Sequence, residues 1–165
     1  MLAPMLDELR QEAATTRRVL ERVPGDKLSW RPHSKSMSLG QLALHVATIP
    51  GAIVGLAQLN EFDAAQANFE PPEAKSLEEI LAALDVGVKT AEDYLDGIDD
   101  ETAAGSWRLM SKGQEVFTVP RAGMLRSIML NHWYHHRGQL SVYLRLLEIP
   151  VPVIYGRSAD ENPFA

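Results

Sequence analysis

Cysteine is absent from the 165 residues, and this excludes disulfides, thiolate metal ligands and a cysteine nucleophile together. Any thiol chemistry must use a thiol carried in by a cosubstrate, and any bound metal must be held by imidazole or carboxylate. Basic charge is scarce: 16 Lys and Arg stand against 22 Asp and Glu, a formal net charge of −6, and only Arg17 and Arg18 are adjacent. A nucleic-acid partner is not expected, because phosphate binding needs a concentrated basic face. Long hydrophobic runs are also missing; no apolar stretch is read as approaching the roughly 20 residues that span a bilayer. Residues Met1 to Arg10 lack the basic-then-apolar order of a signal peptide. A membrane partner is therefore not expected, and a cytoplasmic location is the default. There is no Walker-type phosphate loop and no G-x-S-x-G nucleophile elbow.

What is present fits one helical domain over residues 1–165. Hydrophobic residues make up 45% and charged residues 23%, ordinary values for a globular chain large enough to bury a core. Four segments carry helical periodicity. The first shows Leu2, Met5, Leu6, Leu9, Ala13, Thr16, Leu20 and Val23 before a stop at Pro24-Gly25. The second starts at Ser38, three residues before Gln41 in a capping-box pattern, and runs to about Leu59, with Pro50 predicting a kink near Val46. A second capping box, Ser76 to Glu79, opens the third, which stops at Asp96-Gly97. The fourth runs from about Pro120 to about Glu148. Before it, Trp107–Met110 and Glu115–Val119 flank Ser111-Lys112-Gly113-Gln114 as a small hairpin. The stretch from Glu61 to Lys75 is read as a long crossover between helices two and three. The expected fold class is all-α, a four-helix bundle, and such bundles place cofactor sites between facing helices.

Three of the five histidines, His132, His135 and His136, fall within five residues. At about 100° per residue, His132 and His136 lie about 40° apart on successive turns and can offer two imidazoles to one ion. His135 points to the other side of His132, which makes it a flanking residue, and Gln139 returns to the direction of His132 one turn later. His45 is the candidate third ligand, in the small and apolar stretch Leu42 to Ala47. A lone histidine on an apolar face is more often a hydrogen-bonded core residue, so it is the combination that points to a metal. Trp133 follows His132, so the H-E-x-x-H of zinc proteases is missing, and no Glu stands three residues before a histidine as in di-iron bundles.

The run Asn131-His132-x-x-His135-His136-Arg137-Gly138-Gln139 resembles the signature of the DinB-like family of bacterial four-helix-bundle metal-binding proteins. So does Ser38-Leu39-Gly40-Gln41-Leu42-x-x-His45-Val46-Ala47, after Trp30-Arg31-Pro32, and the resemblance extends to the tail from Val153 to Glu161. It implies an unusual helix order, a homodimer, and a divalent metal held by the residues at His45, His132 and His136. Members include thiol-dependent transferases and isomerases beside many proteins without known activity. Three imidazoles suit zinc or nickel best and also admit manganese or iron. The functional expectation is a metal-dependent hydrolase or thiol S-transferase that activates water or a low-molecular-weight thiol against a small-molecule substrate. The competing reading is a non-catalytic metal- or ligand-binding bundle in a stress response. No general base is assigned: Gln139 would orient a ligand or a water, His135 and His33 are as readily structural, and Asp160 and Glu161 reach the site only if the tail folds back.

Overall fold

Helix α1 (Ala3–Leu20) carries Pro4 in its first turn, where the missing N–H has no intrahelical partner to lose, and Arg17 and Arg18 in its last, beside the negative end of its dipole. The computed structural model describes residues 2–164. Helix α2 (Leu39–Ala57) begins at a complete capping box, Gln41 N–H donating to Ser38 Oγ at 3.1 Å and Ser38 N–H to Gln41 Oε1 at 2.9 Å. The side-chain amide of Gln41 also donates to the Pro71 carbonyl at 3.0 Å, which fastens the crossover to the start of α2. Helix α3 (Leu77–Gly97) has only half of its expected box. Glu79 N–H donates to Ser76 Oγ, but the Glu79 carboxylate accepts from Lys75 N–H at 2.6 Å, one residue too early.

The helix order is not sequential. Helix α2 packs against α3 and the last helix, and α1 against the same two, so α1 and α2 sit on opposite diagonals of the bundle. The α2–α3 contact is backbone to backbone: a Cβ on Gly51 would lie 2.9 Å from Gly87 Cα, inside any allowed separation. Glycine is required at Gly51, and a Cβ on Gly87 would press against the Ala47 carbonyl oxygen at 3.0 Å. Helix α2 also corrects an expectation. Its 19 residues have a mean hydropathy of 1.5, long and apolar enough for a membrane span. The cause is its central place, with 11 of those residues buried in the bundle.

The last helical segment runs without a break from Arg121 to Leu146, as expected, but changes pitch along its length. It divides into α5 of four residues (Arg121–Met124), a wide π-type turn over Leu125–Leu130, and the long final helix (Asn131–Leu146), here α6 once the five-residue α4 (Asp100–Ala104) is counted. The wide turn lets Met124, Leu125, Met129 and Leu130 all be fully buried, which a regular α-helix with one apolar stripe would not allow.

The pure all-α expectation is also corrected, because a three-stranded sheet closes one side of the bundle. Strands β2 (Ser106–Ser111) and β3 (Gln114–Pro120) form the expected hairpin, turning on Lys112 and Gly113 with φ of 52° and 74°. Strand β1 (Glu61–Asp63) comes from inside the crossover and pairs parallel with β2. Its last residue holds the junction: the Asp63 carboxylate accepts from the N–H groups of Ala65, Lys112 and Gly113 at 2.9–3.0 Å. Those three donors hold its pKa below the usual carboxylate range. The crossover is thus tied at both ends, by Gln41 at Pro71 and by Asp63 at the hairpin.

Candidate metal centre

Pro50 cannot donate to the carbonyl of Val46, four residues back. Helix α2 nevertheless runs through both residues, and the Val46 carbonyl accepts instead from the indole N–H of Trp133 at 2.8 Å. Trp133 is fully buried on α6. The proline leaves that carbonyl open and so creates a docking point for α6 at the position of the expected kink. His45 and His132 are the preceding neighbours of Val46 and Trp133 in the chain, so this bond fixes the relative height of the two helices at the level of the site.

His45, His132 and His136 converge there. One ring nitrogen of each lies within 4.8 Å of the others. The Nε2 atoms of His45 and His132 are 3.2 Å apart, and two imidazole nitrogens on one tetrahedral zinc lie about 3.3 Å apart for bonds of 2.0–2.1 Å. The rings stand nearly edge to face, at centroid distances of 4.4–5.3 Å. His136 Nδ1 lies 2.7 Å from Gln139 Oε1. An amide oxygen only accepts, so the ring proton resides on Nδ1 and the Nε2 lone pair is left free, the usual outer support of a metal-ligating histidine.

Burial is the largest influence on all three rings and disfavours their charged forms. His45 and His132 are held below the ordinary histidine value, with neighbouring histidines adding to the effect. His136 is lowered to about 4 by burial and by the fields of His132 and His45, against a small opposing influence of Gln139. All three are neutral at pH 7, the form that ligates metal.

The other sequence candidates stay outside. His135 is exposed, its ring 4.9 Å from that of His136, and it does not join the trio. His33 is exposed in the turn before α2, where its Nδ1 accepts from Lys35 N–H. The tail does fold back, but onto α1 and the end of α6. Asp160 pairs with Arg145, and Glu161 with Arg18 and Arg22, so neither acid faces the imidazoles.

Two features were not read from the sequence. Arg137, next to His136, is 1% exposed and forms an ion pair with Glu12 at 2.6 Å. It also donates to Thr16 Oγ1 at 3.1 Å and to the Tyr155 hydroxyl, and its guanidinium lies over the rings of Tyr134 and Tyr155. An arginine at a core position of α6, on the same stripe as Trp133 and Leu140, was the available signal. The second feature is a cavity of about 740 Å³ that opens over the trio. Its walls come from α2, the π turn, the sheet and the crossover, including Ile53, Leu56, Phe62, Leu109 and Ile128. The crossover, read as a plain connection, is one wall of the site.

Comparison with known proteins agrees with the fold. The sequence model of the DinB family matches residues 1–162. An uncharacterised protein of Bacillus subtilis strain 168, YrdA, is 28% identical over 155 residues, covering 91% of this chain and 85% of that protein. The crystal structure of a DinB-like protein of Bacillus cereus ATCC 10987 superposes with a TM-score of 0.68 at 22% identity, over 91% of this chain and 95% of that one. For the DinB-like YjoA of Bacillus subtilis the figures are 0.70, 17%, 94% and 99%. A DinB-family protein of Exiguobacterium sibiricum 255-15 gives 0.63, 25%, 91% and 94%.

Proposed function

Since this chain belongs to the DinB family and gathers three neutral imidazoles beneath a cavity, we propose that it binds a divalent metal through His45, His132 and His136 as a metal-dependent enzyme. The observation that carries the reading is the gathering of three ring nitrogens from two helices within 4.8 Å of one another, with Gln139 beside Nδ1 of the third ring. Neutral nitrogen donors without thiolate or carboxylate suit zinc or nickel, and nothing in the donor set discriminates strongly between them. A divalent ion with three protein ligands keeps an open position and lowers the pKa of a water or thiol placed there, supplying a nucleophile at neutral pH.

The chain's own residues do the rest. Gln139 holds the His136 proton on Nδ1 and so keeps its other nitrogen available. The Trp133–Val46 bond keeps His45 and His132 at one level. The apolar walls hold a substrate against the open side and exclude bulk water, which strengthens every electrostatic interaction inside. The proposed reaction is attack by the oxygen of water or the sulfur of a thiol cosubstrate on an electrophilic carbon, with displacement of a leaving group that takes up the proton the nucleophile gives up. Purified protein loaded with zinc, nickel or manganese, assayed with and without low-molecular-weight thiols on an electrophilic substrate, separates the two. Thiol-dependent turnover identifies a transferase and thiol-independent turnover a hydrolase. Metal binding without turnover across the panel overturns the enzymatic reading in favour of a binding protein.

A further inference from the structure

The side chains around the cavity are mostly apolar, and among the described residues no lysine or arginine lines it. Apart from the three imidazoles, its polar members are Asn68 and Glu70, both on the exposed part of the crossover. Nearby guanidinium groups are already engaged. Arg108, between Trp107 and Leu109, pairs with Glu61, and Arg31 pairs with Glu73. Arg126, in the π turn beside Ile128, pairs with Glu8. Arg121 is buried and spends its donors on the carbonyls of Ala57, Leu59 and Thr102 and on Asn60. Each is directed to an acid or a carbonyl that does not line the cavity, and the carboxylate of Glu70, which does, would repel a ligand anion. Placing a charged group against such walls leaves it desolvated without a partner.

We infer that the cavity selects a small molecule with an uncharged, apolar body and a single polar head directed at the three imidazoles, with Phe62, Leu109, Ile53 and Leu56 setting the preference. The inference rests on the proposed metal function only for what the head contacts; the selectivity of the walls is independent of it. A volume of about 740 Å³ lies in the usual range for sites that take drug-sized molecules. The lining disfavours molecules whose charged groups fall along the walls, away from the three imidazoles.

The test uses the full chain stripped of metal and two fluorescent probes sharing one ring skeleton, the uncharged N-phenyl-naphthylamine and the anionic anilinonaphthalene sulfonate. The expected result is binding of the uncharged probe about tenfold or more tighter than the anionic one. Leu109→Arg should narrow or reverse that ratio by a similar factor, with the helical circular dichroism unchanged. Ile53→Arg, on a different wall, must do the same and serves if Leu109→Arg fails to fold. Equal or tighter binding of the anionic probe to the wild type overturns the inference, as does a ratio indifferent to a folded arginine variant. Zinc titrated into a separate sample keeps the two readings apart. Zinc binding without the probe preference sinks this inference alone, and probe preference without zinc binding sinks the metal reading alone.

Discussion

His136 and Gln139 show how much of the site is decided by single residues. Replacing His136 with alanine removes one of the three proposed ligands and should abolish zinc binding in isothermal titration. Gln139→Leu keeps all three ligands but releases the Nδ1 proton from its acceptor, and should weaken zinc about 10–100-fold. An unchanged zinc affinity in Gln139→Leu would show that the contact does not orient the ring. The depressed histidines also set a pH dependence. An unfolded chain takes up a proton on each ring near the ordinary value of 6.5, whereas His136 in the fold resists until about 4. Protons therefore favour the unfolded chain between those limits. Stability of the metal-free protein should be insensitive to these rings above pH 7 and fall as the pH drops from 6.5 towards 4. Urea midpoints at several pH values check this, and His136→Gln should flatten the slope within that window.

At the scale of elements, the bond between Trp133 and the Val46 carbonyl makes a prediction that can be isolated. Trp133→Phe leaves a buried carbonyl without a donor and should cost about 1–3 kcal/mol beyond any packing loss. Pro50→Ala restores an N–H in the same helix for that carbonyl, so the same Trp133 change should cost less in the Pro50→Ala background. A double-mutant cycle by urea denaturation measures the coupling, and strict additivity would show the proline and the indole to be independent. Elements were legible where local signals are strong. The Ser38–Gln41 box and the stop at Gly97 place α2 and α3 within two residues of their expected ends. Strand β1 was not legible, because three residues carry no alternation and their pairing partner lies more than 40 residues along the chain. The π turn was missed for a related reason: a wide turn leaves the same apolar letters in place and changes only which of them share a face.

At the scale of the molecule, the bundle closes around Arg137. Its pair with Glu12 joins α6 to α1, and its contact with Tyr155 joins both to the tail. Arg137→Met removes one partner of a buried pair and should destabilise the fold by about 3–5 kcal/mol, with Glu12→Gln costing less because Thr16 and Tyr155 still accept from the guanidinium. Chemical denaturation orders the two variants. A bound metal would contribute more modestly, since thirty buried apolar residues among those described form a continuous core without it. Stripping the ion should lower the melting temperature but leave a folded bundle, the gain at an ion concentration of 100 Kd being about 2.7 kcal/mol. A metal-free chain that is unfolded would assign the ion a structural role instead.

The histidine spacing on α6 and the apolar setting of His45 were enough to name the three rings, because helix periodicity is a local property that the order of residues dictates. Absence of cysteine likewise fixed the donor chemistry before any fold was known. The convergence of those rings depended on tertiary structure, as did the indole that heals the break at Pro50, the burial that keeps the imidazoles neutral and the apolar cavity above them. Each of these arises between segments far apart in the chain. Local sequence carries no record of which distant backbone carbonyl lacks a donor, or of which strand will come to form a wall.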